Sequence, residues 1–385
     1  MEKSLKKDII INRLPVVIYF ILIFAALMVI ISAVAPMSNH EPKTTDTYSD
    51  FSTGWLNCEE SEASLDHLSG TTVIHRTITA ADCNKTLFFF AKTSNIKVFI
   101  DGVCQYRNNH FCSQFFGKTP GALFVNVLIP AESDGKLLEI EIENPYKDDD
   151  SAKLDEMYIG DISDIIQFQQ QKRFNSFCIS FIIMVLGVVM LLLFIPLTRQ
   201  KIVGIEFLNL GVTAFVSGLY LTTDGRYLQL VFGDAHIYHV IAETALRLSI
   251  LPFLIFLSQM YDSYSKRISA ILCVIGEIVF AGCFIGEITE IMDYHETLFL
   301  VHVVFAISML FILVSTIKGI VKAPKENICH NIGCIVLSFM AMTDIIILWR
   351  GTGRETSYFI RLGILIFFFM EIVQIIKNVP RLLSA

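Results

Sequence analysis

Charge is scarce in this sequence. Asp, Glu, Lys and Arg together make up 17% of 385 residues, while apolar residues make up 54%. Soluble domains carry about 25% charged residues, so the deficit excludes a wholly water-soluble globule. Also lacking is any Lys/Arg-rich stripe, which excludes a nucleic-acid partner. No internal repeat or low-complexity segment appears, which excludes solenoids and tethers. None of the nine cysteines forms a zinc-spaced set with histidine. Nor do the apolar runs carry a paired catalytic motif at helical spacing. An enzyme is therefore not expected, and neither is a metal or other cofactor.

What is present is apolar, and unevenly distributed. Residues 37–172 read as a soluble segment; 14–36 and 174–377 read as membrane. The run Leu14–Pro36 follows Lys3, Lys6, Lys7 and Arg13. It approaches the ~20 residues that span a bilayer and exceeds a signal-peptide core of about 7–15. It reads as an uncleaved transmembrane anchor after a cytoplasmic N-terminus, 1–13. Seven further spans are expected at 176–197, 202–222, 237–261, 268–286, 297–317, 328–349 and 358–377, with a short tail, 378–385. Connections on one side carry Arg199 and Lys201, Lys266 and Arg267, Lys318, Lys322 and Lys325, then Lys377 and Arg381. The segment "TEIMDYHE" on the other side has no Lys or Arg and carries Glu290, Asp293 and Glu296. This asymmetry predicts cytoplasmic termini and an extracytoplasmic 37–172, in a multi-pass protein of the plasma membrane. Lys172, Arg173, Arg350 and Arg354 dissent mildly. Trp349 and Tyr358 stand where interfacial rings are expected.

Within 71–160 the pattern is that of strands. "KLLEIEIEN" alternates Leu138, Ile140 and Ile142 with Glu139, Glu141 and Glu143, the period of a half-buried strand. "IKVFIDG" ends on Asp101-Gly102, a hairpin pair. An antiparallel sandwich of jelly-roll type is expected. The order of its pieces resembles the galactose-binding-like jelly rolls, which implies a carbohydrate-like ligand. Trp55, Tyr106 and Arg107 are the sugar-stacking and hydrogen-bonding candidates; the plainer reading is a packed aromatic beside a surface arginine. Cys104 and Cys112 flank one hairpin and form a candidate disulfide. Cys58 and Cys83 also lie in this segment, and other pairings remain open.

From Tyr158-Ile159-Gly160-Asp161, through Tyr220 and Asp224-Gly225, to Gln229, Gly233 and Pro252, the chain resembles the bacterial seven-transmembrane receptors with diverse intracellular signalling modules. The resemblance covers about residues 70–378. It implies an extracytoplasmic jelly roll, a seven-helix receptor region, and a cytoplasmic output of diguanylate cyclase or histidine kinase type. No Gly-Gly-Asp/Glu-Glu-Phe signature, phosphoacceptor helix or ATP-binding box follows Lys377. The output is then expected on a separate signalling protein, or the chain is part of a longer receptor; a homodimer is a further expected partner. The fold class expected is thus an anchor helix, an all-β sandwich and a seven-helix transmembrane bundle.

Ionisable groups in hydrocarbon are costly and functional by default. His239, Glu243 and Arg247 stand at i, i+4 and i+8, on one side of a helix. Together with His302, Asp344 and Arg361 they are expected to converge in a polar cavity facing out of the cell, as a ligand or transduction site. The plainer reading is two local clasps, Glu243–Arg247 and Asp344–Arg361. Glu206 and Glu371 are expected to snorkel towards the cytoplasm, and Glu277, near mid-membrane, has no evident partner. The function expected is a sensor that binds a small molecule or carbohydrate outside the cell. The alternative is a transporter or a transporter's accessory subunit.

Overall fold

The computed structural model describes residues 47–108, 121–146, 152–199, 203–260, 263–323, 327–349 and 357–384. The expected anchor (14–36), the segment before it and Cys112 lie outside the described residues.

Among the described residues, nine strands form two antiparallel sheets. β1 (Tyr48–Asp50), β9 (Lys153–Gly160), β4 (Thr86–Lys92) and β7 (Ala122–Leu128) make one, in the order β1-β9-β4-β7. β2 (Leu56–Asn57), β3 (Thr71–Thr77), β8 (Leu137–Glu143), β5 (Asn95–Ile100) and β6 (Val103–Arg107) make the other, in the order β2-β3-β8-β5-β6. The alternation in β8 is realised: Leu138, Ile140 and Ile142 are buried, while Glu141 meets Lys97 across the strand pair at 2.5 Å. Asp101 and Gly102 both take positive φ, 51° and 73°, the conformation a two-residue hairpin turn demands.

β4 does not alternate. All of Thr86–Ala91 is buried. Leu87, Phe89 and Ala91 enter the core between the sheets with Trp55, Ile74, Val98, Val125 and Ile140. Phe88 and Phe90 point away from that core, yet are only 1% and 4% exposed. A strand sealed on both faces reads as a continuous apolar run, and here the second face is covered by helix ends.

Among the described residues, seven helices are long and apolar enough to cross a membrane. They are α1 (Ile162–Arg199), α2 (Ile205–Asp224), α4 (Ala235–Met260), α5 (Ser263–Ile288), α6 (Tyr294–Lys322), α7 (Ile328–Trp349) and α8 (Tyr358–Ser384), with a short α3 (Tyr227–Phe232) between α2 and α4. The chain is therefore a multi-pass membrane protein: a β-sandwich followed by seven apolar helices. α1 begins 14 residues before the expected span at 176, running on from β9 through a single residue, Asp161. Its close pairing with α2 requires glycine. A Cβ on Gly187 would lie 2.3 Å from the Phe215 amide nitrogen, and one on Gly218 would lie 2.4 Å from that of Met184. Small residues at such crossings let backbones touch where hydrocarbon offers no hydrophobic drive. The bundle core is centred on Leu254, Ile312, Cys334, Phe367 and Phe368.

Candidate functional site

The sandwich is seated on the helix ends by the sheet face that β4, β7 and β9 share. The Arg226 guanidinium lies 4.0 Å above the Phe90 ring. Phe88 stacks on Phe124 at 5.4 Å, and Arg173 of α1 lies 4.9 Å over Phe124. Gln229 of α3, its amide oriented by these two bonds, donates to the Ala122 carbonyl and accepts from the Phe124 amide at 2.9 Å. It thereby covers the open edge of β7. Ala235, the first residue of α4, packs onto the sandwich core. Each phenylalanine face removed from water contributes roughly 2 kcal/mol.

Charge reinforces this seat. Arg173 Nη2 donates to both Glu156 oxygens, at 2.9 and 2.7 Å, and Lys172 Nζ donates to Oε1 at 2.8 Å. Burial alone pushes the Glu156 carboxyl up, but the two cations outweigh it and hold it below the usual carboxylate range. Beside it, burial first and then the Glu156 charge push the Tyr158 phenol up to about 12. Lys172 and Arg173, which dissented from the charge asymmetry, thus share one carboxylate of the sandwich.

A second contact lies at the start of α6. The Tyr146 hydroxyl donates to Asp293 Oδ2, and the Tyr146 ring meets the His295 ring at 4.4 Å. Asp293 caps α6: its carboxylate accepts the Glu296 amide at 3.0 Å, and Glu296 accepts the Asp293 amide at 2.9 Å. This reciprocal box satisfies two donors that a helix start otherwise leaves open. Asp293 and Glu296 belong to "TEIMDYHE", so that connection and the sandwich lie on the same side of the bundle.

Beneath the seat are two buried polar clusters. In the first, Arg247 Nη1 donates to Glu243 Oε2 at 2.6 Å and to the Glu243 carbonyl at 2.9 Å. Its Nη2 donates to the Tyr294 carbonyl at 2.7 Å and to Thr297 Oγ1 at 3.1 Å, and the guanidinium lies 4.1 Å over the Tyr294 ring. The expected intrahelical pair exists, and it also ties α4 to α6.

The second cluster joins α1, α2 and the start of α8. Tyr220 and Ser357 hydroxyls lie 3.0 Å apart, and Ser357 donates to Asp224 Oδ2 at 3.2 Å. Arg361 Nε donates to Ser180 Oγ at 2.9 Å, while its Nη1 has no hydrogen-bond partner among the described residues. Asp344 is engaged elsewhere. It accepts the Phe359 and Ile360 amides at 3.3 and 2.6 Å, capping α8. The Asp344–Arg361 clasp is thus replaced: among the described residues no ion pair joins them, because the start of α8 claims the carboxylate. Asp224 stands close enough to feel the charges of Arg226, Arg361 and Glu243. It is a member of this second cluster that the expected residue set omitted.

The other candidates are dispersed. His239 lies under the sandwich, where a Cβ added to Gly121 would fall 2.5 Å from its ring. His302 sits edge-on to Trp349 at 5.9 Å, and its Nδ1 has no hydrogen-bond partner among the described residues. Trp55, expected as a sugar platform, is instead a core residue: it is 1% exposed, donates from Nε1 to the Phe51 carbonyl at 2.8 Å, and meets the Phe51 ring edge-on. No ring face is left for a ligand. Tyr106 and Arg107 do lie on the edge strand β6, with Arg107 exposed and Tyr106 half-buried against the core. Cys104 is also exposed on β6; Cys58, Cys83 and Cys104 carry no disulfide among the described residues. Nor does Glu371 snorkel: it is buried against His330, with Oε1 2.5 Å from Nδ1. Glu206 turns back to accept the Gly204 amide at 2.8 Å.

Comparison with protein families, with curated proteins and with solved structures finds no match to this chain.

Proposed function

We propose that this chain is a bacterial transmembrane receptor whose sandwich, outside the cell, reports ligand binding to the seven helices. One observation carries the reading: the sandwich rests on the bundle through a sealed sheet face, ion pairs and a helix cap, so its strands and the helix ends cannot shift independently. A ligand can bias such an assembly only by binding one arrangement better than another. The sandwich is read as a jelly roll, with the β6 edge around Tyr106 and Arg107 as the surface for a small molecule or carbohydrate. Small helix displacements then pass through the Asp224–Arg361 cluster into α8 and reach a signalling protein in the cytoplasm. Basic connections on the side away from the sandwich support this orientation. A cysteine placed at Glu290 should react with a membrane-impermeant maleimide, and one at Lys322 should not; the reverse would invert the assignment.

The test of function is hydrogen exchange on the full chain in nanodiscs, against a panel of mono- and oligosaccharides. The receptor reading expects a sugar that protects β6 to change exchange in Leu365–Lys377 as well. Protection confined to the sandwich would overturn it. Uptake of that sugar into proteoliposomes would support the transporter reading instead.

A further inference from the structure

Arg361 stands in the first turn of α8 and is 3% exposed. Its side chain makes one hydrogen bond, from Nε to Ser180 Oγ. Neither Nη1 nor Nη2 bonds a described residue. A buried guanidinium with both arms of its fork open is costly, and the groups around it offer no relief. Ser180 Oγ gives its own hydrogen to the Ser176 carbonyl at 2.8 Å. The Asp344 carboxylate takes two amides at the start of α8. Ser357 gives its hydrogen to Asp224, so the Tyr220 hydroxyl donates to Ser357. Asp224 in turn has Arg226 as its first cationic neighbour and Arg361 as its second.

The turn between α2 and α3 borders this fork. A Cβ added to Gly225 would fall 3.9 Å from Arg361 Nη2, so the glycine contributes no side chain over that arm. Its backbone, φ −66° and ψ −5°, is one that any residue adopts. The missing side chain, and not a special turn, is therefore what the glycine supplies. Asp224, Gly225 and Arg226 are half-buried, which makes this turn the approach by which a solute reaches the arginine.

We propose that Arg361 binds the carboxylate of a small organic acid at the α2–α3 turn. The guanidinium fork matches two coplanar oxygens. With Nε committed to Ser180, Nη1 and Nη2 are the pair that meets them. A single negative charge suits the surroundings best. Asp224, Glu243 and Asp344 all act electrostatically on this cluster, so a doubly charged phosphate would meet stronger like-charge repulsion than a carboxylate does. A neutral amide would offer one acceptor oxygen to two donors and leave one arm open. The site is separate from the β6 surface and does not rest on the receptor reading.

The experiment is thermal unfolding of the full chain in detergent with formate, acetate, propionate and butyrate. Each is compared with its amide and with chloride at equal ionic strength. A solute that binds the folded chain raises the midpoint with concentration. At least one acid should do so saturably, and its amide should not. Arg361→Met should weaken binding of that acid about a hundredfold. Arg361→Lys, which keeps the charge and loses the fork, should weaken it about tenfold. Gly225→Val, which sets a branched side chain over Nη2 with Arg361 intact, should also weaken it about tenfold. These last two variants keep the test open should Arg361→Met fail to fold. No stabilisation of the wild type by any of the acids would overturn the proposal, as would an effect of the acid that persists undiminished in the Arg361 variants. Equal effects of acid and amide, or a stronger effect of phosphate, would overturn the assignment to a carboxylate.

Discussion

Two arginines, each 3% exposed, sit in the two polar clusters beneath the sandwich and are treated differently. Arg247 meets a carboxylate, two carbonyls, a hydroxyl and an aromatic face, with Nε alone lacking a hydrogen-bond partner among the described residues. Arg361 meets the Ser180 hydroxyl and leaves Nη1 unpaired among the described residues, with Asp224 near but not bonded to it. The first arrangement fixes α4 against α6 directly under the Tyr146–Asp293 contact. The second leaves a charge short of partners where α1, α2 and α8 meet. A well-paired buried charge resists movement; an under-paired one gains by rearranging, and that is where a two-state element would be placed. The sandwich thus stands over one cluster whose arginine has many partners and one whose arginine has few.

The comparison breaks most readily at Arg247. Arg247→Leu strands Glu243 and the Tyr294 carbonyl, and should cost about 3 kcal/mol, read as a loss of thermal stability in detergent. Restoring part of that loss with Glu243→Gln in the same chain would confirm that the stranded carboxylate carries it. Next in size is the seat itself. Glu156→Gln leaves Arg173 buried with weaker acceptors and should cost about 2 kcal/mol. The sign with pH follows from the depressed Glu156 carboxyl. Its stabilisation is fully present above the unfolded value near 4.3 and is lost as pH falls through the lower folded value. The wild type should therefore lose stability across that acidic window, and Glu156→Gln should lose less. Arg361→Met should fall within about 1 kcal/mol of wild type, because replacing an under-compensated buried charge by an apolar chain of similar length is often neutral. A cost as large as that of Arg247→Leu would erase the distinction between the two clusters. Smallest is the coupling between them. Glu243→Gln and Arg361→Gln, which have Asp224 and Tyr220 as shared electrostatic neighbours, should deviate from additivity by about 0.5 kcal/mol in a double-mutant cycle, whereas strict additivity would leave two independent clasps.

Much of the architecture was legible. Hydropathy located seven spans because it measures the hydrocarbon, and α7 coincides with the expected 328–349. It could not see that α1 continues as helix through "QFQQQKRF", where water and the sandwich, not lipid, surround the chain. The alternation of β8 was plain because one of its faces is wet. The unbroken run in β4 concealed its meaning: "TLFFFA" announces a strand but does not say that Phe88 and Phe90 serve a second interface. Trp55 stood between two readings because an aromatic ring that packs and one that stacks on a ligand have the same letter, and the plainer one, packing, is what the fold realises. The Glu243–Arg247 pair was readable from its i, i+4 spacing. Asp224 and Ser357 were missed as site residues because they lie at helix ends in the sequence. Only the fold brings the end of α2 against the start of α8.

If the sandwich and the helix ends act as one body through the β4 face, a change on that face is felt in the helices. Hydrogen exchange of the full chain in nanodiscs, comparing wild type with Phe90→Glu, tests it most directly. A charge at position 90 removes the ring beneath Arg226 while leaving the core face of β4 intact. The account predicts faster exchange not only in β4 and β7 but also across the α2–α3 turn at Asp224–Leu230 and in the first turns of α4. Faster exchange confined to the sandwich, with those helix ends unchanged, would contradict it.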